Sequence, residues 1–122
     1  MTVYVDNMAA PFTPDHAPTR KYIMCHMMAD TEDEMHAMAD KIGVSRNWFQ
    51  RVPSGNHYDI TKSKRAAAVR AGAVEITTRE MAAFAWHKRT LGFTCCPSVA
   101  LDKMRSALKA KGEVLAQRNR AH

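Results

Sequence analysis

His57, Tyr58, Asp59, Lys62, Ser63, Lys64 and Arg65 fall within nine consecutive positions of the segment HYDITKSKRAAAVRAGAVEIT, residues 57–77. His57 and Asp59 form an H-x-D pair. On an extended backbone, side chains at i and i+2 point the same way. The two could therefore share a metal ion, or Asp59 could orient His57 as a general base. Directly downstream, Lys62, Lys64 and Arg65 occupy the first turn of an expected helix. The helix dipole disfavours cations there by about a few tenths of a kcal/mol each. Free backbone N–H groups, the hydroxyl of Thr61 or Ser63 and three cations favour a bound phosphate or carboxylate. The alternative is that these long side chains splay into water at little cost.

Further polar groups lie at the ends or centres of expected strands. Asp6 closes a first strand, a position that in an α/β sheet faces a ligand crevice or forms a turn. His26 sits within the apolar run YIMCHMM, and Asp30 follows it. The expected catalytic set is His57, Asp59 and His26. The expected metal set is Asp6, His26, Asp30, His57 and Asp59, for a divalent ion. For magnesium or manganese the carboxylates matter more than the histidines. The expected anion site is Lys62, Ser63, Lys64 and Arg65. No CxxC, HExxH, P-loop or GxGxxG motif occurs, and Cys25 with Cys95 and Cys96 lacks zinc-ligand spacing.

The elements that must position these groups are read from periodicity. Residues 2–6 alternate as a strand, 22–28 form a buried strand and 73–77 a third. The segment from His57 reads as loop, then helix 62–71, then strand. Other helices are expected at 31–42, 79–91 and 98–117. The helix at 31–42 opens with Thr31 and Glu34 as a capping box and stops at Gly43. Within it Glu32, His36 and Asp40 share a face and suit local charge pairs. Thr61 caps the helix from Lys62, and Gly112 weakens the last turns of the final one. Three prolines make residues 9–21, with His16 and Arg20, a loop that is either a ligand-gripping segment or a surface excursion. Trp48 and Phe49 anchor a turn to the core or offer a base a stacking surface. These readings sum to an α/β fold: a small, at least partly parallel sheet of three or four strands with helices packed on it. The expected division is an α/β domain at 1–97 and a basic helix or tail at 98–122.

The chain has 122 residues, 46% hydrophobic and 25% charged, enough for one modest core and against wholesale disorder. Its net charge of +6 suits nucleic acid or nucleotides as partners. An odd cysteine count with two adjacent members argues for a reducing, cytoplasmic setting. Neither a secretory signal nor a membrane span is expected.

Residues 35–52, EMHAMADKIGVSRNWFQRV from Glu34 on, support a rival reading. Gly43 and the Val44-Ser45-Arg46 that follows resemble a helix-turn-helix, with Ser45, Arg46, Asn47 and Gln50 facing a major groove. Bulky Trp48-Phe49 and Pro53 count against it.

Taken together, YVDN at 4–7, CHMMAD at 25–30, EMHAMADKIG at 34–43, NWFQ at 47–50, HYD at 57–59 and SKRAAAVRAGAVEIT at 63–77 resemble a family of small bacterial and phage proteins. That family is a domain of unknown function marked by its HYD segment. The resemblance covers residues 1–80 or so and implies no established activity. It implies that Asp6, His26, Asp30, His36, His57, Asp59 and Lys64-Arg65 travel together. Members often carry a second Asp where this chain has Asn7. The expected function is a phosphate-handling enzyme, a metal-dependent phosphodiester hydrolase or a nucleotide-processing enzyme. The alternatives are a non-catalytic DNA- or RNA-binding protein and a phage protein that inhibits a host component.

Overall fold

A computed structural model describes residues 2–13, 15 and 19–120. The chain forms β1 (Val3–Val5), β2 (Ala10–Phe12), β3 (Tyr22–Ala29), α1 (Glu32–Ile42), β4 (Phe49–Gln50), β5 (His57–Thr61), α2 (Lys62–Arg70), β6 (Val74–Glu75), α3 (Thr78–Leu91) and α4 (Pro97–Arg120). The fold is mixed α/β. Its sheet has six strands rather than three or four, in the order β4-β5-β3-β1-β6, with β2 also pairing β3. The β1–β6 pair is parallel and the other pairs are antiparallel.

Three extra strands account for the difference. The HYD segment is not a loop but strand β5, in which Tyr58 and Ile60 are buried and His57, Asp59 and Thr61 face the other way. β4 is two residues long and pairs with β5 to make a hairpin. β2 contains Pro11, which lacks a backbone N–H, and it pairs only with β3. His16, in the same expected loop, lies outside the described residues.

The helices start and stop where side-chain chemistry dictates. Thr31 accepts the Glu34 N–H at the start of α1, and Gly43 closes it in the left-handed region at φ 76. Thr31 and Glu34 otherwise meet side chain to side chain; the reciprocal box forms at α3, between Thr77 and Glu80. Thr61 caps α2 as expected. The would-be recognition helix of the helix-turn-helix reading is a single 3-10 turn at Arg46–Trp48 running into β4. α4 continues through Gly112 to Arg120. Its first turns pack along α3, burying Ala100, while every side chain from Arg105 to Arg118 is exposed. None of the described helices is long and apolar enough to cross a membrane.

The sheet has two unlike faces. Val3, Val5, Cys25, Met27, Tyr58 and Ile60 point to one, where Met35, Ala39 and Ile42 of α1 and Ala68 of α2 close the larger core. Tyr4 and Met28 point to the other, against Met81 and Phe84 of α3. α3 covers only part of this second face and leaves the β3–β5 strip beside it accessible.

The turn between β4 and β5 is wedged against α3. Gly55 has φ +142, and a Cβ there would lie 3.0 Å from the Ala85 Cβ and 3.3 Å from the Met28 Cε. Arg89 of α3 donates to the Ser54 carbonyl at 2.7 Å, and Asn56 donates to Glu32 at 2.7 Å. Backbone strain and a blocked approach act together at this glycine. Gly55→Ala is expected to destabilise the protein by about 1–3 kcal/mol, read as a lower urea midpoint.

Candidate functional site

Strand register assembles the site. The backbone N–H of Asp6 donates to the His26 carbonyl at 3.0 Å, and His26 stands directly opposite Asp59 on β5. Asp6, His26 and Asp59 thus form a line across three strands, on the second face of the sheet. His57, two residues before Asp59 on β5, adds its ring to the same face. The His26 and His57 rings meet edge to face at 4.8 Å.

Asp6 is fully buried, with no exposed surface. Its carboxylate accepts the His26 backbone N–H at 2.8 Å, the His26 ring at 2.8 Å and the Met8 N–H at 3.3 Å. Burial pushes the Asp6 carboxyl up, but the hydrogen bonds from the His26 ring and backbone outweigh it and hold the group below its usual 3.8.

The hydrogen bonds also set the tautomers. An ionised carboxylate only accepts, so the His26 Nδ1 facing Asp6 carries the proton. The His57 Nδ1 faces the Gly55 carbonyl at 2.8 Å, another pure acceptor, so it too carries the proton. Each neutral ring is left with a lone pair on Nε2. Both Nε2 atoms face Asp59: Oδ1 lies 3.3 Å from that of His57 and 3.9 Å from that of His26. Three electron-pair donors therefore converge, all within 4.8 Å of one another, and they form the metal-capable cluster found among the described residues. Ligands held at 2.0–2.2 Å around a tetrahedral ion stand about 3.3–3.6 Å apart. The His57–Asp59 pair already has that spacing, and the His26 side needs a small inward shift.

Lone pairs facing a carboxylate repel unless a cation lies between them. The same arrangement favours a proton on His57: the Asp59 hydrogen bond raises its pKa above 6.5, opposed by burial and aided by the Gly55 carbonyl and the charges of Asp59 and Asp6. Asp59 faces the nitrogen that would do chemistry, while Gly55 holds the nitrogen an orienting group would hold. This geometry favours a shared cation over a His57 base oriented by Asp59.

The other expected site residues lie elsewhere or are engaged. Asp30 is four residues beyond His26, just past the end of β3 and roughly 13 Å away, and accepts the Thr2 N–H at 3.0 Å. It is not in the cluster. Asn7 accepts from both the N–H and the hydroxyl of Thr78, and so ties β1 to α3 rather than facing the histidines. His36 bonds the Tyr58 hydroxyl at 2.6 Å beside α1, on the opposite side of the sheet. Its helix neighbours reach outward too, Glu32 to Asn56 and Asp40 to Arg46, rather than to one another. Lys64 donates to the Ile42 carbonyl at 3.0 Å. Arg65 donates to the Asp6 carbonyl at 2.7 Å and to Glu75 at 2.9 Å. Lys62 is exposed, and the Ser63 hydroxyl sits 3.1 Å from that of Thr61.

The cleft adds residues outside the expected catalytic, metal and anion sets, Arg89 and Thr78 among them. On one side of the histidines is a cavity of about 300 Å³ lined by Asp6, Thr78 and Arg89 among others. On the other is one of about 480 Å³, walled by Phe12, Trp48, Gln50 and Met24. The chain reaches β2 through Ala9 at φ 51, and Met8 and Phe12 to either side of it line this second cavity. Arg89 carries no local signal of this role, since a cation in the last turn of a helix is also what the dipole prefers.

Fold and site together define a small α/β domain with a His-His-Asp cluster on the open half of one sheet face. The chain belongs to a protein family of unknown function (DUF4031), whose model matches residues 3–88. That span holds every residue of the cluster and most of α3, and stops short of α4. No curated protein and no solved structure matches the chain.

The raised pKa of His57 has a sign that can be measured. Its contribution to stability is fully present below pH 6.5, the unfolded value, and is lost as pH rises through the higher folded value. With chelator present, the stability gap between the parent and His57→Gln is expected to be wider near about pH 6 than near about pH 9. Urea midpoints at the two pH values check this, and an equal gap at both would contradict the ion pair.

Proposed function

We propose that this protein is a metal-dependent hydrolase of phosphate esters, with a divalent ion held by His26 Nε2, His57 Nε2 and Asp59 Oδ1. One observation carries the reading: two imidazoles, each pinned at Nδ1 by its own acceptor, aim their Nε2 atoms at one carboxylate oxygen. Catalytic metal sites recur as two histidines and a carboxylate with further positions left open. Their histidines usually donate the other ring N–H to a carboxylate or carbonyl, the parts Asp6 and Gly55 take here. Nitrogen-rich ligation favours zinc or iron over magnesium or manganese. Such an ion supplies a hydroxide at neutral pH and polarises a phosphoryl oxygen.

The chain's own residues supply the rest. Asp6 keeps the His26 proton on Nδ1, and the Gly55 carbonyl does the same for His57. Arg89 and Lys64 border the cleft on its two sides and suit an anionic substrate. The net charge of +6 supports the same substrate class.

The test is metal analysis of protein made without a histidine tag, together with turnover of a simple phosphodiester. One ion per chain is expected, and His57→Ala should abolish both binding and turnover. Unchanged metal content in His57→Ala, with no ester hydrolysis by the parent, would sink the proposal. Asp6→Asn gives a finer check. An amide facing Nδ1 drives the His26 proton to Nε2 and blocks the ligand lone pair. Affinity for zinc, by calorimetry, is expected to fall roughly 10- to 100-fold.

A further inference from the structure

We infer that the cleft is an open-ended groove that takes single-stranded nucleic acid across the metal centre, with a base laid against Trp48. The inference deepens the hydrolase reading and rests on it for its chemistry. Three cavities carry it. The one beside α3, about 300 Å³, and the aromatic one, about 480 Å³, share His26 and His57. The aromatic one shares Met24, Trp48 and Asp59 with a third of about 290 Å³, which Lys64 and Thr61 line. The three adjoin one another through these shared walls, and residues of the His-His-Asp cluster border all three. A blind pocket would suit a free nucleotide or a terminal phosphate. Cavities that extend from the cluster on both sides suit a chain that continues in both directions.

The order of chemistry along the passage matches a nucleic-acid strand. Arg89 offers a cation at one end and Lys64 another at the far end. Each keeps spare donors beyond its single backbone carbonyl contact. Between them lie the cluster and then an aromatic wall, where Trp48 is 37% exposed and Phe12 42% exposed, in edge-to-face contact at 6.2 Å. Two large aromatics exposed side by side beside a polar centre form a stacking platform for an unpaired base. Gln50, on the same wall, adds an amide for a base edge. A base in a duplex is already stacked on its neighbours and would have to leave them to reach Trp48, so a single strand is the favoured occupant. An acidic peptide would satisfy the cations but would leave the aromatic wall without a partner.

The experiment measures anisotropy of a labelled oligothymidine with the full chain in chelator, so that no cleavage intervenes. Trp48→Ala is expected to weaken binding roughly 5- to 150-fold, as loss of one stacked base does. The same change should leave an abasic strand of equal length unaffected, and Trp48→Phe should restore most of the loss. The duplex should bind more weakly than the single strand, and an unlabelled circular single strand should compete as well as a linear one. Equal binding of abasic and base-bearing strands, or no effect of Trp48→Ala, overturns the stacking platform. Competition by linear strands alone overturns the open groove. Metal content, measured in parallel, separates this inference from the one beneath it. A metal-loaded protein with no Trp48-dependent binding defeats the groove, whereas Trp48-dependent binding by a chain that takes up no metal defeats the centre.

Discussion

The carboxylate of Asp6 is the contact on which both the fold and the site depend. A buried ion without partners costs several kcal/mol even after relaxation. Asp6 is fully buried and meets that cost with three N–H donors, two from His26 and one from Met8. Its backbone is equally committed: the N–H goes to the His26 carbonyl, and the carbonyl accepts from Arg65. One residue therefore joins β1 to β3, sets the exit toward β2 and receives α2. The contact that makes this junction stable also puts the proton on His26 Nδ1. The sheet cannot form this junction without also aiming His26 Nε2 at Asp59.

The division of the two sheet faces explains why the polar line can exist. α1 and α2 together cover the first face, and the side chains pointing there are almost all apolar. α3 stands over β1 and the Met28 end of β3 on the second face, leaving His26 of β3 and Asp59 of β5 without a helix above them. A polar group in a covered position would have to find every partner within the protein. On the open strip, Asp59 and His26 reach solvent or a ligand, and only Asp6, nearest α3, needs complete internal satisfaction. No described buried side-chain polar atom lacks a partner.

The helices and the two longest buried patterns were legible from periodicity and caps, because those signals are local. β5 was legible in part. Tyr58 and Ile60 alternate with His57, Asp59 and Thr61, but five residues between a Pro-Gly turn and a helix cap make a short signal. β2 and β4 carry almost none, being three and two residues long and held by the strands they pair with. The same logic divides the site. That His57 and Asp59 share a face follows from spacing alone. That Asp6 and His26 join them, and Asp30 does not, follows from register between strands far apart in sequence. Asp30 and Asp6 look alike as carboxylates next to strands, yet only one is paired opposite His26.

The cations in the first turn of α2 show how a local oddity finds a distant cause. Their own helix disfavours them, which from sequence argues for a bound anion. Lys64, however, reaches the Ile42 carbonyl in the last turn of α1, where the dipole is negative and cations are favoured. The Lys64 Nζ comes close to Gly43, within 3.3 Å of where a Cβ would stand. Arg65 likewise serves a carbonyl and a carboxylate on neighbouring strands. A charge placed against one dipole is thus placed with another, and the two helices on the first face are fastened end to start. The positive end of α2 keeps Lys62 and Ser63 facing solvent, while Lys64 does double duty, holding α1 in place and bordering the cleft beside Asp59.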